Sequence, residues 1–479
     1  MGLTAKGTPT KEFFVGMLTR DIALSDSILD LLDNCLDGVV RQKRADKRND
    51  PEYYKNYYAH ITITDNQFVI EDNCGGIPRR VAEEYAFRMG RSSEKAGEAL
   101  PTVGIYGIGM KRAIFKIGKS AVVTTRNEGK LYEVSIPLNW TESEDEWDFP
   151  LKDLDDPSLL ETGGTRIAIS NLNTSIADLW SSADKLEKFS NDLIKAIQQS
   201  YSFIIQKGFE ITINSIQVPF LPVNLLVSEK SDNNSIKPFL FKQTFGDVDV
   251  SLAVGFYAPP PSPEEIDDEN TMKRSSGDAG WTVVCNDRVV LYNDKSHLTG
   301  WGEAGVPHYH TQFIGIRGIV IFESVNPQNL PMTTTKRGID TSSSIYAAVK
   351  DRMRQGLKLF TDYTNRWKGR NADERVYSTD TKSVGIGELV ASKDSIERSA
   401  PVKFHSTKGG FVYTPSLPKP VNDNPSRIIR FSRPINEIDD VTEYLYGDRE
   451  HQITPSQVGE KCFDHVLTHA HLKGGEKNV

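Results

Sequence analysis

The sequence predicts an α+β protein: an α/β sandwich with helices on one face of a mixed sheet over residues 1–175, a second α/β domain over 176–370, and a polar C-terminal region over 371–479. Three observations predict it. Across the first third, the patterns run helix, hairpin, helix, glycine-rich turn, helix and then antiparallel strands. A second series of strands ends in a long helical pattern from Ser343 to Trp367. After Gly369 the apolar periodicity gives way to Gly, Ser, Pro and scattered basic residues.

Each element has its own signal. A helix is expected to open at Ser25 or Asp26, both good N-caps. Ile28, Leu31, Leu32, Cys35, Leu36 and Val39 form its apolar face, and Asp30, Asp33, Asn34 and Asp37 recur on another. FFVGMLTRDIAL is an apolar lead-in, and residues 41–58 read as a loop or short helix pair broken at Asp50-Pro51. Ile61, Ile63, Phe68 and Ile70 alternate about Asp65-Asn66, which predicts a hairpin. Its second strand runs into Asp72-Asn73-Cys74-Gly75-Gly76-Ile77-Pro78. Residues 79–90 look helical, and Arg91 to Thr102 reads as a polar loop. Gly104, Gly107 and Gly109 precede a helical run from Met110 to Ile117. Strands follow at 121–125, 131–136 and 165–169, with the acidic TESEDEWDFPLKDLDDP between the last two as a surface loop.

In the second half, residues 180–206 read as a helix and FEITINSIQV as a strand pair on an Asn-Ser turn. Pro259 to Asp278 reads as an exposed loop, with strands at Trp281 to Leu291 and Phe313 to Phe322. LPMTTTKRGID leads into the long helix. A linker or extended tail is expected to about Pro434, then short helices at Ile435 to Gly447 and Pro455 to His469.

Composition narrows the function classes. Of 479 residues, 38% are hydrophobic and 25% charged, an ordinary globular balance. The net charge of −8 argues against a protein that coats nucleic acid, though not against a local basic patch. Cys35, Cys74, Cys285 and Cys462 are widely spaced without a CxxC pair, which argues against a disulfide scaffold and for a reducing compartment. No apolar run reaches membrane-spanning length, and the first residues lack a signal-peptide core. A cytoplasmic protein with no membrane partner is expected.

Three stretches carry possible chemistry. The acidic helix face is either solvated or a place where magnesium relieves carboxylate repulsion, since magnesium binds through a few oxygen ligands plus substrate phosphates. Asp72 before two glycines is either a turn or an acceptor where backbone approaches a ligand closely. Glycines ahead of a helix leave free N–H groups at its positive end, an anion site. The spacing is neither GxGxxG nor a P-loop.

Together, in order and spacing, DLLDNCLDG, EDNCGGIP, GIYGIGMK and TGGTRIAI resemble the N-box, adenine box, glycine lid and closing box of the GHKL ATPase superfamily. That superfamily includes gyrase B-type topoisomerases, heat-shock-90 chaperones, MutL, MORC proteins and histidine kinases. The resemblance covers about residues 10 to 175 and implies a Bergerat-type fold with ATP and Mg2+ as cofactors. It implies that Asn34 is the metal ligand bridging the phosphates, and that Asp72 accepts the adenine amino group with help from Thr165. Gly76 would let the base approach the backbone, Gly104, Gly107 and Gly109 would wrap the phosphates, and Lys111 would lie near them. Asp37, Ile77, Ile108 and Met110 fall in the same boxes and are assigned to the nucleotide pocket.

The chain departs from the family pattern twice. Hydrolysing members carry a Glu four residues before the N-box Asn as general base, and here that position is Asp30. Cys74 replaces the first glycine of the usual DNGxG, as a structural thiol. Residues 176–370 resemble, more loosely, the transducer domains of gyrase B, MutL and MORC-like proteins. In those a lysine reaches the γ-phosphate, and Lys336 is the candidate here against the alternative of a plain surface lysine. The histidine-kinase branch is disfavoured, because its ATP domain follows a phospho-acceptor helix pair and here the acidic motif begins at residue 30.

The resemblance implies an ATP-dependent homodimer acting as a switch or clamp on DNA or a partner protein, in a role such as phage defence. The rival is a non-hydrolytic nucleotide-sensing scaffold that recruits an effector, kept open by Asp30. A third reading is a metal site without nucleotide. Arg427, Arg430 and Arg433 form a small basic run, suited to a phosphate backbone or a solvated tail.

Overall fold

Alternating Ile61, Ile63, Phe68 and Ile70 build the middle of the first sheet. β1 (Tyr58–Ile63) and β2 (Gln67–Asp72) pair antiparallel from Ala59↔Asp72 to Ile63↔Phe68. The computed structural model describes residues 9–43, 50–88, 108–143, 145–160, 162–230, 234–261, 276–333, 335–391, 405–407, 410–420, 432–447 and 453–475. The Arg91–Thr102 loop, Gly104 and Gly107 therefore lie outside the described residues, as does most of the Pro259–Asp278 segment. The chain divides into two compact units, Met1–Pro420 and Val421–Val479.

In the larger unit, the first sheet has eight strands in the order β5-β4-β3-β6-β2-β1-β7-β8. The others are β3 (Gly118–Asn127), β4 (Lys130–Ile136), β5 (Leu151–Asp153), β6 (Gly164–Leu172), β7 (Glu210–Ile213) and β8 (Ile216–Gln217). Only the β1–β7 pair is parallel. The helices of this layer are α1 (Lys11–Arg20), α2 (Leu24–Gln42), α3 (Arg79–Val81), α4 (Gly109–Ile117), α5 (Thr174–Leu179) and α6 (Ala183–Gln206). Ile28, Leu32 and Val39 of α2, Ile114 of α4 and Ile197 of α6 share one core with Ile61, Phe68 and Ile169 of the sheet. Each such side chain contributes about 1.5–3 kcal/mol by leaving water. At the start of α1, Lys11 is buried, donates to the Trp140 carbonyl at 2.8 Å and lies over the Trp140 ring.

The second sheet has seven strands in the order β13-β12-β14-β11-β10-β17-β16, and a ribbon β15-β9 lies beside it. Its strands are β10 (Phe239–Phe245), β11 (Val248–Phe256), β12 (Gly280–Cys285), β13 (Arg288–Asp294), β14 (Ile316–Ser324), β16 (His405–Thr407) and β17 (Gly410–Tyr413). The ribbon pairs β9 (Asn224–Ser228) with β15 (Thr381–Gly385). One face packs on α7 (Ser344–Trp367), through Met353, Leu357 and Phe360. The other packs on Phe203 of α6, Leu225 and Val384 of the ribbon, and Leu389 of α9 (Ile386–Ala391), which follows α8 (Asn371–Ser378). Both faces are covered, which is why β11 is apolar almost throughout.

The structure differs from expectation at five places. The acidic segment expected as a surface loop contains β5, which pairs with β4 at the sheet edge. β7 and β8 close the edge of the first sheet and α6 packs in its core, so that layer runs past residue 175. Residues 371–391 and 410–420 are not a linker: α8, β15, α9 and β17 pack into the second layer, and Trp367 Nε1 donates to the Pro418 carbonyl at 3.3 Å. α2 opens at Leu24 after Ala23, and Asp26 pairs with Arg337 instead of capping. Of the helix expected over 79–90, the described residues form one α turn followed by a π turn, Ala82–Ala86.

The smaller unit contains α10 (Ile435–Tyr446) and α11 (Pro455–Gly475), as expected for its end. They meet through Lys461 over the Tyr446 ring and Tyr444 edge-on to His465. Arg433 pairs with Glu437 at 3.9 Å; Arg427 and Arg430 lie outside the described residues.

Candidate functional site

β2 ends at Asp72, whose register partner on β6 is Thr165. The Asp72 side chain is buried, and its Oδ1 accepts from the Cys74 backbone N–H at 2.7 Å. Burial pushes its carboxyl up to about 6, against hydrogen bonds from the Cys74 N–H, the Cys35 thiol and the Thr165 N–H. The Cys35 and Cys74 thiols are pushed well above their ordinary range by burial and by Asp72. Both stay protonated at neutral pH, so Cys74 is structural.

The turn after Asp72 is locked from several sides. Gly76 has φ +69°, and a Cβ there would lie 2.1 Å from the Arg126 carbonyl oxygen. Gly164 is as tight: its Cβ would fall 1.9 Å from the Asp72 carbonyl oxygen. The Gly75 N–H donates to Gly163 O at 3.0 Å, Asn127 Nδ2 to Gly75 O at 2.7 Å, and the Ile77 N–H to Thr125 Oγ1 at 2.8 Å. Thr125 Oγ1 also lies 3.2 Å from Thr165 Oγ1. α2 presses on the same turn, since a Cβ at Gly38 would meet Cys74 O at 2.3 Å. A buried acceptor is thus presented beside backbone that nothing larger than glycine can form.

The acidic face of α2 is neither solvated nor a set of mutually repelling carboxylates. Asp30, Asp33 and Asp37 are all buried, while Asn34 is partly exposed. Asp33 Oδ1 accepts from Tyr201 Oη at 2.9 Å and Arg288 Nε at 3.1 Å, and Lys336 Nζ lies 3.3 Å from Oδ2. These cations and the hydroxyl hold its carboxyl below the usual range despite burial. Asp30 Oδ2 pairs with Arg112 of α4, and Oδ1 with Arg337 at 3.2 Å. Arg337 also pairs with Asp26 at 3.2 Å. Four cations therefore offset the charge of Asp30 and Asp33, and among the described residues no acidic, histidine or cysteine cluster forms a metal site alone.

Lys336 and Arg337 sit at the tip of a loop joined by the Met332↔Ile339 bridge, with Lys336 at φ +57°. Such a conformation costs a non-glycine residue on the order of 1 kcal/mol and persists where surroundings impose it. The second layer thus reaches α2 within one residue of Asn34. Ile108 caps α4, Gly109 and Met110 begin it, and a Cβ on Gly109 would lie 3.4 Å from Asp30 Cβ. Lys111 is buried and donates to the Ala86 carbonyl at 2.8 Å, where the π turn ends; burial pulls its ammonium down to about 8.

Sequence reasoning singled out Asp30, Asn34, Asp72, Gly76, Thr165 and Lys336, and the structure brings them onto or beside α2 and β2. It did not single out Asp33, Tyr201, Arg288, Arg112, Arg337 or Thr125 as site residues. Arg112 and Arg337 directly follow Lys111 and Lys336, which is the signal available for them.

A helix with buried carboxylates and one partly exposed amide lies over a sheet whose strand ends in a buried acceptor and a glycine turn, and together they form an α/β sandwich. Residues 22–162 match the family model described as histidine kinase-, DNA gyrase B-, and HSP90-like ATPase, which places this segment in the GHKL superfamily and supports ATP binding. No curated protein matches the chain. No helix among the described residues is long and apolar enough to cross a membrane.

Proposed function

We propose that this chain is an ATP-binding and ATP-hydrolysing switch, in which Mg–ATP binding is coupled to homodimerisation and to handling of DNA or a partner protein. The observation that carries the reading is the buried Asp72 carboxylate set against the Gly75-Gly76 turn. A carboxylate accepts from the amino group of adenine and repels the carbonyl oxygen that guanine carries there. The missing Cβ at Gly76 leaves room for a base to lie on the backbone.

The residues present fit a magnesium nucleotide. Asn34, the partly exposed amide in an otherwise buried stretch of α2, would hold Mg2+ through a neutral oxygen, and the ion would supply neutralisation of phosphate charge when bound. The start of α4, at Ile108, Gly109 and Met110, would offer N–H groups to the phosphates. Asp30 would orient the attacking water and take its proton as oxygen adds to the terminal phosphorus and the bond to the bridging oxygen breaks. Lys336 would stabilise the charge on the departing phosphoryl group. What supports coupling is the origin of the Lys336 loop, which belongs to the second layer yet rests on Asp33 of α2.

The scaffold reading has one observation in its favour: both Asp30 oxygens are engaged by guanidinium groups. Steady-state phosphate release separates the two. Turnover in wild type and none in Asp30→Asn, with the analogue still bound by both, is expected. Tight binding with no turnover above that variant would leave only the scaffold. Sedimentation with and without a non-hydrolysable analogue reads dimerisation.

A further inference from the structure

Asp30 sits where an anion belongs. It lies against the first residue of α4, a Gly109 Cβ falling 3.6 Å from its Oδ2, and it is flanked by one arginine of that helix and one from the second layer. Arg337 is anchored on α2 at two further points, the Asp26 carboxylate at 3.2 Å and the Asp26 carbonyl. Asp26, Asp30 and Asp33 together face Arg112, Arg288, Lys336 and Arg337. The loop that delivers Lys336 and Arg337 is built to hold this position: Thr333 N–H donates to Gly338 O and Lys336 N–H to Thr333 O, each at 2.9 Å.

We infer that Asp30 competes with the terminal phosphate of a nucleoside triphosphate for Arg337, so that Arg337 sets the preference of this site for triphosphate over diphosphate. The inference rests on the nucleotide reading above. The guanidinium, which now gives Asp30 a single contact at Oδ1 while Nε holds Asp26, pairs more strongly with a doubly charged phosphate, which offers two acceptors in the plane of the fork. The exchange frees Asp30 Oδ1, the oxygen that Arg337 covers, to hold water. A diphosphate lacks the group that takes Arg337, so it leaves the Asp30 pair in place and the carboxylate engaged. One exchange of partners thereby links recognition of the third phosphate to release of the carboxylate. It also links both to the position of the second layer, because Arg337 moves with its loop.

The test is the affinity of Mg–ADP and of a magnesium-bound non-hydrolysable triphosphate analogue for the full chain and for Arg337→Gln, Arg337→Lys, Asp30→Asn and the Asp30→Asn/Arg337→Gln double variant. Arg337→Gln is expected to lose about tenfold in triphosphate affinity and little in ADP affinity, the scale of one charge-assisted pair. Arg337→Lys keeps part of the preference, which also controls for misfolding. Asp30→Asn, with the competitor removed, binds the triphosphate more tightly, and this gain vanishes in the double variant. Equal loss for both nucleotides in Arg337→Gln, or an Asp30→Asn gain that survives in the double variant, overturns the inference while leaving nucleotide binding intact. Failure of wild type to bind either nucleotide overturns the underlying reading as well.

Discussion

Lowering the pH from 7 to 5 is expected to weaken adenosine binding about tenfold through Asp72 alone. With the carboxyl pushed up to about 6, roughly nine-tenths is ionised at pH 7 and roughly one-tenth at pH 5. Only the ionised form presents an acceptor free of its own proton, because Oδ1 is already occupied by the Cys74 N–H at 2.7 Å. Affinity is therefore full above the folded value and falls as pH falls through it. The sign for stability is opposite. An unfolded aspartate titrates near 3.8, so the folded state holds this proton more tightly. Asp72 then costs stability increasingly as pH rises through about 4 to 6, reaching on the order of 3 kcal/mol at neutral pH. In Asp72→Asn the amide oxygen keeps the Cys74 bond and turns its NH2 toward the adenine amino group, donor against donor. That variant should melt higher than wild type at pH 7 and bind no adenosine. Equilibrium dialysis of labelled adenosine, which has no phosphate to titrate in this window, measures the affinity. Unchanged binding at pH 5 and 7, with circular dichroism showing the fold retained, would refute the assignment of Asp72.

Other outcomes follow from the same contacts. Asp33→Ala leaves Arg288 and Lys336 facing each other without their carboxylate, and should lower the unfolding free energy in urea by about 3–5 kcal/mol. Gly76→Ala drives a methyl group into the Arg126 carbonyl at positive φ, so adenosine binding should be lost in a dialysis measurement. Truncation after Gly369 removes β15 and β17 from the second layer and exposes Leu240 and Phe241, and should yield aggregated protein in size-exclusion chromatography.

The motifs were legible in the sequence because each is local. The hairpin, the glycine turn and the apolar stripe of α2 follow from spacing within a few residues. The meaning of the acidic face was not legible, since the partners of Asp33 lie far along the chain: Tyr201 and Arg288 are 168 and 255 residues away. No periodicity records such pairs, so an inward face read as solvated or as metal-binding. The second layer was half-legible. β11 is apolar almost throughout because both of its faces are covered, which removes the alternation that marks a strand. The stretch after residue 370 reads as tail because its composition is polar on average, yet Val384, Ile386, Leu389, Val412 and Tyr413 are buried and pack their segments into the second layer. The glycine-rich motif puts Lys111 near the phosphates, and in the structure it satisfies the Ala86 carbonyl at the end of a π turn that no sequence pattern announces.

The most direct test of the central claim is calorimetric titration of a non-hydrolysable ATP analogue with magnesium into wild type, Asp72→Asn and Asn34→Ala. Binding to wild type, loss in the Asp72 variant and weakening in the Asn34 variant is the predicted result. No heat of binding to wild type, or equal affinity in all three proteins, would contradict the account.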